Sequence, residues 1–162
     1  MQDDQIREII DRNDQAWGDI ESLFADMYAY MQSKGLMAGL AEDGAKHWVE
    51  SVSKGLGRFG IMYISMHGKD VTGFAYGSIR LMPDYLGSRK TGVITHIHLK
   101  ENYRRKGTGA LLVRALEKWF LAKEVHSIEL QVIIDNSSAM AFWEKLGYKT
   151  ELIQYRKITG KA

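Results

Sequence analysis

The sequence predicts a mixed α/β fold, and three observations carry that prediction. Apolar residues recur every three or four positions through the first third of the chain, then every second position from about Ile61. In the second half, strand-like and helix-like segments alternate. The chain has 162 residues, 45% hydrophobic and 26% charged, which suits one domain, residues 1–162, whose core needs no staples. One proline, Pro83, and no low-complexity stretch leave no linker and no repeat to divide it.

Ile6 to Ile10 is a β-branched run that ends at Asp11 and reads as a first strand. Asp14 is placed to cap a helix whose apolar stripe is Trp17, Ile20, Phe24, Met27 and Met31, and Gly35 is placed to end it. Ala45, Trp48, Val49 and Val52 repeat the helical spacing before Gly55 and Gly57. Ile61–Met66 and Val71–Leu81 are strands joined by the turn His67-Gly68-Lys69-Asp70, so they should pair antiparallel. Pro83 to Gly92 is polar and irregular, and Val93–Leu99 is the next strand. Gly107–Lys123 is a helix with Leu112, Ala115, Leu116 and Trp119 on one face. Ser127–Ile134 is a strand, Ser138–Leu146 a short helix and Thr150–Ile158 a last strand. The unit from Val93 to Ile134 should hold its two strands parallel through a right-handed crossover.

Composition removes several function classes. There is no cysteine, hence no disulfide framework, thiolate metal site or cysteine nucleophile. The net charge of +2 gives no reason to expect a nucleic-acid partner. No apolar run is long enough to span a membrane, and Met1-Gln2-Asp3-Asp4 lacks the basic and apolar stretches of a signal peptide. A cytoplasmic protein is the expectation.

The most informative stretch is Arg104-Arg105-Lys106-Gly107-Thr108-Gly109-Ala110, which follows a strand and opens a helix. The unpaired N–H groups and partial positive charge of a helix start attract phosphate. Gly107 and Gly109 let the backbone approach an anion, and the three cations add charge. The string lacks the Gly-Lys-Ser/Thr of a P-loop and the third glycine of a dinucleotide fingerprint, since Leu112 stands there. A helix start with solvated basic residues is the alternative reading.

The string resembles the Arg/Gln-x-x-Gly-x-Gly/Ala motif of the GNAT superfamily of N-acetyltransferases. Asn136 to Tyr148, with Ala141-Phe142-Trp143-Glu144-Lys145-Leu146-Gly147, is similar to that family's second signature. The resemblance implies a central, mostly antiparallel sheet with one parallel, splayed strand pair, and acetyl-CoA as co-substrate with no metal. It implies that the backbone of Arg105, Lys106, Gly107, Thr108, Gly109 and Ala110, beside Arg104, holds the pyrophosphate. It implies that Ile97, His98 and Leu99 pair with the pantetheine arm, and that Asn136 and Trp143 lie along the coenzyme. A helix N-cap is the other role for Asn136. A small-molecule amine is the expected acceptor, protein or peptide amines and a non-catalytic acyl-CoA sensor are the alternatives, and a homodimer is a family-level expectation.

The chemistry asks for a base. An amine of pKa about 10.4 is neutral at pH 7 roughly once in 2,500, a shortage of about 4.6 kcal/mol. Several family members carry a glutamate near the position of Thr95. Here His96 and His98 alternate on one strand face and are the candidate bases, against readings as sheet-bound histidines or a two-His metal site. Trp143 stands where the family often has a tyrosine that protonates the leaving thiolate, and an indole is no usable acid. Tyr148 is the nearby candidate acid, with a core role as its alternative. Tyr28 and Tyr30 on the first helix, and Asp84 and Tyr85 between two strands, are the candidate acceptor residues.

Overall fold

Five strands form one sheet in chain order: β1 (Gln5–Ile9), β2 (Gly60–His67), β3 (Asp70–Leu81), β4 (Lys90–Leu99) and β5 (Ser127–Leu130). The computed structural model describes residues 4–161; Met1–Asp3 and Ala162, part of the single-domain expectation, lie outside them. Neighbours pair antiparallel except β4 and β5, which are parallel and enclose helix α3 (Thr108–Ala122) as their crossover. Helices α1 (Trp17–Ser33) and α2 (Gly44–Gly55) lie between β1 and β2, and α4 (Ser137–Lys145) follows β5.

The period-two pattern of the strands sorts their side chains onto two faces, each with its own core. Met62, Ile64 and Phe74 pack against Ile20, Leu23, Phe24 and Met27 of α1 and Val52 of α2. Ile61, Ala75 and Ile94 pack against Leu112, Val113, Leu116 and Phe120 of α3 and Trp143 of α4. Phe120 lies flat over two glycines. A Cβ on Gly77 would stand 2.8 Å from its ring and one on Gly92 2.7 Å, so α3 approaches the sheet closely only because both side chains are missing.

Several boundaries differ from expectation for local reasons. Asp14 does not cap α1, which starts at Trp17; its carboxylate takes the Ala16 amide at 2.9 Å and the Arg7 guanidinium, closing the preceding turn. Gly35 does end the helix: at φ +104° it sets up the paired bonds Leu36 N–H to Met31 O and Gly35 N–H to Gln32 O. Strand β1 stops at Ile9, leaving Ile10 outside it and exposed. Strand β4 starts at Lys90, inside the stretch read as irregular, because Lys90 and Thr91 extend the hairpin against Leu81 and Arg80. Strand β5 ends at Leu130 rather than Ile134, since its ladder with β4 stops at Ile94. The last strand, Thr150–Ile158, is not formed: these residues are exposed, and no backbone hydrogen bond ties them to another described residue.

Candidate active site

The turn before α3 has the backbone that its glycines foretell. Arg105 sits at φ +61° and Gly107 at φ +88°, two left-handed positions around Lys106; alternation of this kind is what gathers successive backbone amides into anion-binding nests. The amides from Arg105 to Ala110 donate to no acceptor among the described residues, while the next, Leu111, closes on Gly107 O at 3.1 Å. A Cβ on Gly107 would meet open space, whereas one on Gly109 would lie 3.4 Å from Phe142 and 3.5 Å from Leu99. Below the turn, the Asp4 carboxylate accepts from the Thr108 hydroxyl and contacts His67 Nδ1 at 3.2 Å. It ties the chain start to this helix end, where a negative charge is favoured.

Beside the turn runs the end of β4. Tyr76 of β3 pairs with His96 and Gly77 with Ile94, so Thr95 is the extra residue of a β-bulge. The bulge shifts the alternation by one. Ile94, Ile97 and Leu99 all face α3, while His96 and His98 face α1. Past Ile94 the outer edge of β4 has no strand partner, because β5 has already left the ladder. A cavity of about 180 Å³ lies in that fork, lined by Val93, Ile94, Thr95, Leu130 and Gln131, with the Arg80–Glu129 ion pair at its rim.

The two histidines sit in different surroundings. His96 is packed among Phe24 at 5.0 Å, Trp48 at 5.2 Å and Tyr28 at 6.5 Å between ring centres, and its Nδ1 is buried without a hydrogen-bond partner among the described residues. Burial pulls its pKa down to about 4. Burial likewise pulls His98 to about 4, reinforced by the neighbouring Arg104 charge and partly opposed by Asp26. Both imidazoles are therefore neutral at pH 7. Arg104 Nε donates to the Leu99 carbonyl at 2.9 Å and its guanidinium lies 4.7 Å from the Tyr30 ring centre. Tyr30 thus borders the glycine turn, while Tyr28 borders His96.

Other expected residues fall elsewhere. Asn136 caps α4, its Oδ1 accepting from the Ala139 amide at 3.3 Å, which leaves its Nδ2 outside that bond. Trp143 is buried, edge-on to Phe142 and Tyr148. Tyr148 donates to Glu117 Oε1 at 2.9 Å and lines a groove with Ser127 and Ile128 at the start of β5. Glu117 is nine residues beyond Thr108, about 13 Å along α3, so the structure does not bring Tyr148 to the glycine turn. Burial and the Glu117 carboxylate also push its pKa up, away from service as an acid near neutrality. Asp84 and Tyr85 lie in a short 3₁₀ turn at the hairpin tip, Asp84 accepting from the Ser88 hydroxyl at 2.5 Å and Tyr85 exposed. The pair is not gathered with the histidines: five ladder positions, about 17 Å, separate Lys90 from His96. Sequence reasoning missed Trp48, Tyr76, Phe142 and Asp4. Phe142 stood inside a signature already in view; the other three reach the site only through tertiary packing.

Among the described residues, no helix is long and apolar enough to cross a membrane. In sequence comparison, residues 17–148 match the model of the acetyltransferase (GNAT) family. N-alpha-acetyltransferase 60 of Drosophila melanogaster is 31% identical over 98 residues, 57% of this chain; the match spans about a third (36%) of that relative's length. Among solved structures, a mutant of the BH1408 protein from Bacillus halodurans superposes with a TM-score of 0.78 at 19% identity, covering 96% of this chain and 99% of that one. The aminoglycoside N-acetyltransferase AAC(6')-Iy in complex with CoA superposes at 0.75 and 19% identity, covering 96% and 95%. A glycine turn whose amides are unpaired among the described residues, a strand pair that forks beside it and a family match over most of the chain agree, and the chain belongs to the acetyltransferase (GNAT) family.

Proposed function

We propose that this protein moves the acetyl group of acetyl-CoA to the primary amine of a small molecule by direct attack. The observation that carries the reading is the juxtaposition of six amides, Arg105–Ala110, unpaired among the described residues, with the fork between β4 and β5. The residues present fit the co-substrate. The amides and the side chains of Arg105 and Lys106 suit a pyrophosphate. The edge of β4 at Ile97, His98 and Leu99, which no strand pairs and where Arg104 Nε donates to the Leu99 carbonyl, suits the amide-bearing arm, and the cavity at Val93–Thr95 suits the thioester. The acceptor then approaches from the α1–α2 face, past Tyr28, Trp48 and Tyr76.

Because His96 and His98 are held near pKa 4, neither is a strong base. Deprotonation of the amine then falls to water and to the acceptor's own acidity. This argues for an amine of low pKa. It also keeps a second reading in play, favoured by the similarity to an N-alpha-acetyltransferase: peptide α-amines, with pKa about 7.7–8.0, are neutral at pH 7 far more often than a lysine.

Coenzyme-thiol release, measured with small-molecule amines and short peptides across pH 6 to 9, tests both. The expected result is saturable turnover of a small amine, with kcat/KM rising toward the acceptor's pKa and no inflection near 6.5. Faster turnover of peptide amines moves the second reading ahead. Tight acetyl-CoA binding without thiol release from any amine overturns both in favour of a sensor.

A further inference from the structure

The amides of Arg105–Ala110 have no acceptor among the described residues, so no backbone ladder fixes where they point. The shape of their turn is left to what its side chains grip. Two of those grips lead to β1 and β2, on the far side of the sheet from the fork. Thr108, the first residue of α3, is 1% exposed, and its hydroxyl donates to the Asp4 carboxylate. Tyr103, which ends the 3₁₀ turn before Arg104, sets its ring 5.7 Å from that of His67 and has Lys106 Nζ 5.5 Å from its centre.

The ladder brings Asp4 and His67 together. Gln5 pairs with Met66 in the antiparallel register of β1 and β2, so the next position outward sets Asp4 opposite His67. One carboxylate oxygen of Asp4 takes the Thr108 hydroxyl and the other lies 3.2 Å from His67 Nδ1. The carboxylate is mostly enclosed, with 15% of the side chain exposed. The chain start, the β2–β3 turn and the start of α3, 104 residues away in sequence, thus meet at one side chain.

The charge of Asp4 and its hydrogen bond pull in opposite directions. A carboxylate near a pyrophosphate repels it, so charge alone gives Asp4 no use in binding an anion. As an acceptor it has a use. Without Asp4, the buried Thr108 hydroxyl loses its acceptor, and the first turn of α3 shifts to find it another.

We propose that Asp4 is a positioning residue for the coenzyme. Through the Thr108 hydroxyl it fixes the first turn of α3, and with it the direction of the amides at Arg105–Ala110. His67 holds the other carboxylate oxygen and backs Tyr103. The role rests on the reading above, in which this turn holds the pyrophosphate of acetyl-CoA.

Asp4→Asn keeps an oxygen for Thr108 and removes the charge, whereas Asp4→Ala removes both. Calorimetry with acetyl-CoA should find the Asn variant within twofold of the native protein or tighter, and the Ala variant at least fivefold weaker. Relief of repulsion alone would make the Ala variant tighter. Thr108→Val, which lacks the hydroxyl, should weaken binding as Asp4→Ala does, and the two together no further than either alone. Thr108→Ser should restore it. In steady state the KM for acetyl-CoA should rise in the Ala variant while kcat at saturation holds; a variant that only unfolds part of the sample loses kcat instead. One measurement needs no coenzyme. The Leu111 amide, which closes on Gly107 O, should exchange its hydrogen faster in Asp4→Ala than in Asp4→Asn. Native protein that fails to bind acetyl-CoA overturns the reading of the turn itself. Native binding with unchanged or tighter affinity in Asp4→Ala, additive losses in the double variant, or equal Leu111 exchange in the Ala and Asn variants overturns the role of Asp4 alone.

Discussion

Gly107 holds a backbone angle that side chains resist and a space that a ligand would use. Gly107→Val meets no neighbour, but a β-branched residue at positive φ costs about 1–2 kcal/mol and shifts the amides around it. Acetyl-CoA affinity should fall at least tenfold by calorimetry with only a modest drop in melting temperature; unchanged affinity would place the coenzyme elsewhere. His96 and His98 yield a prediction about acid. Each binds a proton in the unfolded chain below about 6.5 but in the folded chain only below about 4. Between those values the unfolded state holds more protons, so stability rises with pH there and is lost as pH falls. The loss is about 3 kcal/mol for each histidine at the acid end. Melting curves from pH 7 to 4.5 should show it, and His98→Phe should flatten them; an unchanged slope would mean that His98 titrates normally. The glycine turn was legible in the sequence because a local string dictates a local backbone. The histidines were legible as neighbours on one face but not as weak bases, because their low pKa comes from Phe24, Trp48 and Arg104, brought in by other elements.

Helices were legible because their stripes repeat through many residues, as in Leu112 and Leu116, although the fully buried face of α3 runs through Val113 and Phe120 where Ala115 and Trp119 were expected and are only half-buried. Strand limits were less legible because a strand is defined by its neighbour. Lys90 and Thr91 are strand residues only because Leu81 and Arg80 lie opposite. Nothing in the string Ile94-Thr95-His96 announces that Thr95 is the bulge, yet that one residue decides which face the histidines take. The element with the most at stake is α3, which meets the sheet through Phe120 and presents the glycine turn some 18 Å away, twelve residues along at 1.5 Å each. Phe120→Ala should cost about 3–5 kcal/mol by denaturant titration, since two glycines leave nothing to collapse into the space. In the folded fraction it should also weaken acetyl-CoA binding severalfold, because the helix is free to tilt. Loss of stability with wholly unaltered binding would show that the turn is held by its own local bonds instead.

Across the described residues, the sheet separates two cores, one under α1 and α2 and one under α3 and α4. Trp48 stacks on Phe24 at 3.9 Å within the first and has no part in the second. Trp48→Leu should raise the acceptor KM at least tenfold while the acetyl-CoA dissociation constant stays within twofold; a coupled loss of coenzyme affinity would mean that the sheet transmits what it divides. If the separation holds, it has a consequence for descent. A lineage can remodel the residues between β1 and β2, trying one amine after another, without repacking the helix that grips the donor. The chain would then carry its reaction and its choice of customer in two separately editable halves.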